Sequence, residues 1–227
     1  MGKIFAIGDI HGCLEELIKL VEKIPISSAD TLVFLGDYID RGPSSKGVIQ
    51  YLIELSREYN SIFLRGNHED MMLKALVPNA GWDEEGLWAM NGGVATIKSY
   101  GEDKCLIPKS HIEFIKSTIL YHETENSIFV HAGANPAIPL DSHDPEYLMW
   151  VREPFIEDDS KWDKKVIFGH TPQRTPLILN NKIGIDTGCV FGKQLTCLEL
   201  PGMVFYSVDH GINQLISSST GCKGPHQ

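Results

Sequence analysis

Asp9 and His11, two positions apart in GDIHG, set a carboxylate beside an imidazole where a short apolar run ends. An aspartate next to glycine is commonly a turn residue and a lone histidine commonly a structural one, so this stretch decides nothing by itself. The same arrangement returns down the chain. Asp37 ends TLVFLGD, Asn67 and His68 follow SIFLRG, His131 ends SIFVH, and His170 ends KVIFGH. Asp9, Asp37, Asn67, His11, His131 and His170 together offer carboxylate, amide and imidazole donors without thiolate. Such a set suits Mn²⁺, Fe or Zn²⁺ better than Ca²⁺ or a structural zinc. Six groups exceed what one catalytic ion with open positions uses, whereas two divalent ions about 3.5–4 Å apart, bridged by one carboxylate, use them all. With only two anionic ligands, that pair keeps net positive charge and attracts a phosphate dianion.

These groups meet only if the apolar runs are neighbouring strands, each carrying its polar residue at the carboxyl end, where the loops of an open α/β sheet converge. Gly8, Gly36, Gly66 and Gly169, each immediately before one of these residues, suit the sharp bends and close approach required. Leu14, Leu17, Ile18 and Val21, then Val48, Tyr51, Leu52 and Leu55, recur at helical spacing, and a third helix is expected from Glu69 to Val77 with Met71 and Met72 in its core face. Strand, loop and helix alternate three times, which predicts an α/β architecture. From Ser127 onward SIFV, KVIF, KIGI, QLTCLEL and MVFYSVD predict a second, more antiparallel sheet. Residues 78–110 read as an insertion beside the site, with HIEFIKSTILYH as a helix returning to the core. One domain is expected over residues 1–216, and residues 217–227, without apolar periodicity, as a flexible tail.

With 227 residues, 42% hydrophobic and 22% charged, the chain fits one large domain. A formal charge of -10 lacks the basic excess of a dedicated nucleic-acid binder. There is no signal peptide pattern and no apolar run near the roughly 20 residues of a membrane helix. Five scattered cysteines without a C-x-x-C pair point to reduced thiols. The expectation is a cytoplasmic protein without membrane or dedicated nucleic-acid partners.

In order and spacing, GDIHG, GDYIDRG, LRGNHE, HAG and GHT resemble the phosphoprotein phosphatase family of dinuclear metallophosphoesterases, within the calcineurin-like superfamily. The resemblance is greatest to the compact bacterial and phage serine/threonine phosphatase branch and spans about residues 4–200. It implies the calcineurin-like fold, two mixed β-sheets packed as a central sandwich flanked by helices. It implies two divalent ions, Mn²⁺ first and Fe or Zn²⁺ as alternatives, with Asp9 and His11 on one, Asp37 bridging, and Asn67, His131 and His170 on the other. His68 becomes the general acid and Asp40 its orienting partner. Arg41 and Arg152 become the grip on the phosphoryl oxygens, a role that planar guanidinium groups suit.

The activity so implied is phosphomonoester hydrolysis by direct attack of a metal-bridging hydroxide, on serine/threonine phosphoprotein or small phosphoester substrates, with dual specificity left open. No cysteine sits in a phosphate-loop pattern, so a cysteine nucleophile is not supported. The alternative is a dinucleoside-polyphosphate hydrolase, ranked second because symmetrical tetraphosphatases carry a small residue in place of Asp40. A nuclease-like phosphodiesterase ranks lower, since GHTP has Pro172 where G-H-x-H supplies a histidine, and a non-catalytic binding module lower still, since no expected ligand is missing. Trp82 and Trp88 read as packing residues rather than base-stacking platforms, and residues 78–110 otherwise carry no readable code. Asp186 and Asn91 stay open between turn residues and supports for the site. His111, His122, His143, His210 and His226 read as structural. Substrate identity and oligomeric state are not encoded legibly.

Overall fold

Each of the first three apolar runs becomes a four-residue strand leading into a helix: β1 (Ile4–Ile7) to α1 (Leu14–Lys23), β2 (Thr31–Phe34) to α2 (Ser45–Leu55), and β3 (Asn60–Phe63) to α3 (Asn67–Ala75). The structure, a computed structural model, describes residues 2–211 except 79, 160 and 161. The tail expected over 217–227 lies outside the described residues, as does His226. Helices α4 (Trp82–Trp88), α5 (Val94–Ser99) and α6 (Lys109–Lys116) follow, with a π turn, Ala89–Gly93, between the first two. The second half runs through β4 (Tyr121–Glu123), β5 (Ser127–Val130), α7 (Pro145–Trp150), α8 (Glu153–Ile156) and β6 (Lys165–Phe168). It ends in β7 (Leu177–Ile178), β8 (Lys182–Gly184), β9 (Gln194–Leu200) and β10 (Val204–Asp209). No helix among the described residues is long and apolar enough to cross a membrane.

The strands form two five-stranded mixed sheets, ordered β10-β9-β1-β2-β3 and β4-β5-β6-β8-β7. The expectation of a separate, more antiparallel second sheet is corrected. Its centre, β5-β6-β8, is parallel, whereas β9 and β10 join the first sheet, β9 antiparallel to β1. The reason is burial on both faces: β5 is buried along its whole length, and only Lys165 of β6 is exposed, the pattern of a central parallel strand rather than a half-solvated one.

Side chains alternate across each strand with period two. Ala6, Val33 and Leu35 point from the first sheet against Phe129, Ile167 and Ile183 of the second and fill the space between the sheets. Phe5, Ile7, Leu32 and Phe34 point the other way and pack with Leu17, Leu20 and Leu52 of α1 and α2. On the outer face of the second sheet Val130, Val166 and Phe168 meet Leu148 and Phe155 of α7 and α8. Each fully buried side chain of this size contributes about 1.5–3 kcal/mol of transfer free energy, so both sheets are pinned by the same central layer. The carboxyl ends of β1, β2, β3, β5 and β6 are thereby held at one edge of the sandwich.

Candidate metal centre

That edge gathers the residues singled out by their spacing. Asp9, His11 and Asp37 arrive on the loops after β1 and β2, Asn67 and His68 in the first turn of α3, and His131 and His170 on the loops after β5 and β6; all seven are buried. The approach of the loops is close enough to exclude side chains at their glycines. Gly36 has φ +103°, and a Cβ there would lie 2.6 Å from the Gly66 nitrogen and 2.8 Å from His131 Nδ1. At Gly169 a Cβ would collide with the Asp9 carboxylate. Of the seven described non-glycine residues with positive φ, five are His11, Asp37, Asp40, Arg41 and His170. Such backbone costs about 1–3 kcal/mol per residue and persists only where the surroundings over-determine it.

Asp37 divides its carboxylate between two groups of imidazoles. Oδ2 lies 3.4 Å from His11 Nε2 and 3.9 Å from His68 Nε2, while Oδ1 lies 3.4 Å from His131 Nε2. Donor atoms of His11, Asp37 and His68 lie within 4.8 Å of one another, as do those of Asp37, His131 and His170. The tautomers follow from the outer contacts. His11 Nδ1 donates to the Ile39 carbonyl at 2.8 Å and His131 Nδ1 to the Leu35 carbonyl at 2.7 Å, which leaves both Nε2 lone pairs aimed inward. Asn67 Oδ1, itself an acceptor, sits 3.1 Å from His131 Nε2 and 3.1 Å from His170 Nδ1. The His131 Nε2 lone pair and Asn67 Oδ1 are thus two acceptors facing one another, an arrangement that fits a cation between them. Asp9 lies outside these two donor groups but adjoins them, its carboxylate accepting from the His170 backbone N–H at 3.0 and 3.2 Å.

The electrostatics agree. Burial pushes the Asp9 carboxyl well up, and Asp186 and Asp37 add to the rise. Burial, with Asp37 behind it, pushes Glu69 up to about 8, and burial also raises Asp186. Asp37 alone among these is held well below the usual range, because His131, His68 and His11 outweigh its burial. Burial lowers His131, and burial with His131 beside it brings His170 down to about 3. His11 goes the other way, raised because its contact with Asp37 outweighs its burial. Four buried carboxylates, with His131 and His170 biased toward neutrality, form a pocket that divalent cations would compensate. The residues fit a pair of such ions on chemical grounds, with oxygen and nitrogen donors and one shared carboxylate.

His68 Nδ1 donates to Asp40 Oδ2 at 2.7 Å, and Asp40 is fully buried. Arg41 Nη1 donates to His11 Nε2 at 2.7 Å, and its guanidinium lies 5.5 Å from the Phe191 ring centre. Arg152 Nε donates to His170 Nε2 at 3.1 Å. Asp37, Arg41, His68, Arg152, His170 and Phe191 line a cavity of about 190 Å³, below the roughly 300 Å³ at which drug-sized ligand pockets begin. All ten residues marked from sequence therefore meet at one place. Asp186, left open there, is buried beside Asp9 and accepts from the Gly188 N–H at 2.9 Å. Asn91 is half-buried, donates to the Leu87 carbonyl, and is no part of the site.

Three supporting residues were missed. Glu69 accepts from the backbone N–H groups of Asp37 and Tyr38 at 2.8 Å and of Gly66 at 3.0 Å, tying the β2 loop to the start of α3. Its place three residues after a helix cap is the signal that could have found it. Trp88, read as packing, is buried but donates its indole N–H to Asp40, and Thr96 donates its hydroxyl to the same carboxylate. Trp82, also read as packing, is 89% exposed.

The calcineurin-like phosphoesterase family model matches residues 2–205. The chain is 30% identical to the asymmetrical bis(5'-nucleosyl)-tetraphosphatase PrpE of Oceanobacillus iheyensis, over 91% of this chain and 92% of that protein. It is 32% identical to serine/threonine-protein phosphatase 1 of Salmonella typhimurium, over 87% of this chain and 91% of that one. Among solved structures, that of a candidate diadenosine tetraphosphatase superposes with a TM-score of 0.70 at 24% identity, covering 92% of this chain and 93% of the other, a likeness of fold.

Proposed function

Because the chain belongs to the calcineurin-like phosphoesterase family, we propose that it hydrolyses a phosphoanhydride or phosphoester on a pair of divalent ions, Mn²⁺ first, with a dinucleoside tetraphosphate as the leading substrate. The observation that carries the hydrolytic reading is the Asp37 carboxylate, with one oxygen toward His11 and the other toward His131. Asp9, His11 and Asp37 would hold one ion, and Asp37, Asn67, His131 and His170 the other. When bound, the ions supply Lewis-acid charge and lower the pKa of an attacking water toward about 7.

The chain's own groups do the rest. Arg41 and Arg152 flank the cavity and are placed to neutralise phosphoryl oxygens, leaving the phosphorus open to in-line attack. His68 faces the cavity with Nε2 while Asp40 holds its Nδ1–H, so in its imidazolium form it can pass the Nε2 proton to the departing oxygen. No side chain needs to be phosphorylated.

The order of substrates differs from the one expected from Asp40. The PrpE relatives match over nine-tenths of the chain, and Phe191, 55% exposed beside Arg41, gives the phosphate-binding edge a flat apolar surface that suits a nucleobase. A serine/threonine phosphoprotein is the second reading. The Salmonella phosphatase supports it, and so does the Asp40–His68 pair, since a serine alkoxide needs a proton on departure far more than a nucleotide phosphate does.

One Mn²⁺-loaded preparation tested on diadenosine tetraphosphate, a phosphoserine peptide and a phosphotyrosine peptide decides between them. Diadenosine tetraphosphate is expected to lead in kcat/KM by at least about tenfold, 1.4 kcal/mol in barrier. A reversed order makes the protein a phosphoprotein phosphatase, and turnover unaffected by complete chelation removes the metal mechanism altogether.

A further inference from the structure

Residues 82–99, part of the segment that sequence left unread, reach the same Asp40 carboxylate that holds His68. Trp88 Nε1 lies 3.0 Å from both Asp40 oxygens, and Thr96 Oγ1 donates to Oδ1 at 2.6 Å. Thr96 Oγ1 also accepts from the Asp40 backbone N–H at 2.9 Å and lies 2.9 Å from Ser45 Oγ. A few ångströms along, the Gly92 carbonyl accepts from the Arg41 N–H at 3.2 Å. Asp40 and Arg41 are the left-handed pair, φ 71° and 66°, so this one segment secures both strained residues.

The local helix geometry serves that contact. Residues eight apart on an uninterrupted α-helix point about 80° apart, yet Trp88 and Thr96 meet at one carboxylate. The π turn between them, with Gly92 at φ 108°, inserts the extra residue and kink that swing them together. Its glycines are sterically required: a Cβ at Gly92 would lie 2.8 Å from the Arg41 nitrogen, and one at Gly93 would lie 2.7 Å from the Trp88 indole.

We propose that Trp88 and Thr96 are positioning residues which clamp Asp40 so that it holds His68 in proton-delivering orientation. The inference rests on the hydrolase reading above and adds that the segment sets how well the enzyme expels a basic leaving group. A fully buried carboxylate accepts from several donors or rotates to find them. With Trp88 and Thr96 in place, Oδ2 stays on His68 Nδ1; without them, the carboxylate turns and His68 loses its orientation while the metal donors keep theirs.

Trp88→Phe removes the indole donor and keeps the ring, Thr96→Val removes the hydroxyl and keeps the shape, and Thr96→Ser restores the hydroxyl. Trp88→Phe and Thr96→Val should lower kcat on a phosphoserine peptide about 10–100-fold, the scale of lost supporting hydrogen bonds at metal sites. On p-nitrophenyl phosphate, whose leaving group barely needs a proton, the loss should stay below about threefold. Thr96→Ser should behave like the parent. A second readout needs no turnover: in metal-free, histidine-labelled protein, the downfield Nδ1–H resonance assigned by its disappearance in His68→Asn should shift or broaden in Trp88→Phe and Thr96→Val and persist in Thr96→Ser. Equal losses on both substrates, or an unmoved His68 resonance, overturn the clamp. Should the parent hydrolyse no phosphate compound, the hydrolase reading fails, and the resonance alone still decides for or against the clamp.

Discussion

Asp37 turns its two oxygens to different imidazoles, so a change at this single side chain reaches both halves of the centre. Asp37→Asn should lower turnover more than about 100-fold, beyond the loss typical of groups that only support a ligand, and should weaken binding of both Mn²⁺ equivalents in a calorimetric titration. A variant that still binds two ions with parental affinity would remove the bridging role. His68 lends itself to a sharper test. Proton transfer of this kind is worth about 10²–10⁴ in rate, so His68→Asn should cost that much on a phosphoserine peptide and far less on p-nitrophenyl phosphate. Uniform losses would give His68 a positioning role instead. The donors were legible because each ends an apolar run beside glycine. Trp88 and Thr96 were not: an indole in an amphipathic stretch has the signature of packing, and its acceptor, Asp40, belongs to a distant loop that periodicity does not connect to it.

At the scale of elements, strand ends deliver the site only because their loops touch through backbone. Gly36→Ala combines φ +103° with a clash against Gly66 and His131. It should cost about 1–3 kcal/mol in urea unfolding and weaken Mn²⁺ binding, although Gly36 bears no donor side chain. Unchanged metal affinity would mean that the loops have slack. The repeated strand, loop and helix could be read in advance, because α1 and α2 show their apolar faces in the spacing of Leu17, Leu20, Leu52 and Leu55. The sheet to which β9 and β10 belong could not be. QLTCLEL has the same β-branched and apolar character whether it pairs with its neighbours in sequence or with β1, and only the topology of the whole chain chooses.

For the molecule as a whole, the charge concentrated at one edge makes stability depend on metal and proton. Mn²⁺ at about 100 times its Kd should stabilise the protein by about 2.7 kcal/mol per independent site, visible as a rise in Tm that chelation reverses; no rise would mean that the donors are not preorganised for the ion. His170 gives the pH dependence a definite sign. Its folded pKa of about 3 lies below the ordinary value of 6.5, so its contribution is complete above 6.5 and is lost as pH falls toward 3. Between pH 7.5 and 5 the metal-free parent should lose up to about 2 kcal/mol more than His170→Asn; equal slopes would mean that the folded protein protonates His170 freely.

The pairing of Ile4 with Leu200 bears on how the protein is made. A ribosome that has released the first half has exposed Asp9, His11, Asp37 and Asn67, but neither His131 nor His170, nor β9, which pairs with β1 on the side away from β2. A nascent chain therefore cannot gather the six donors, and a message cut short yields a naked sheet edge prone to aggregation, not a feebler hydrolase.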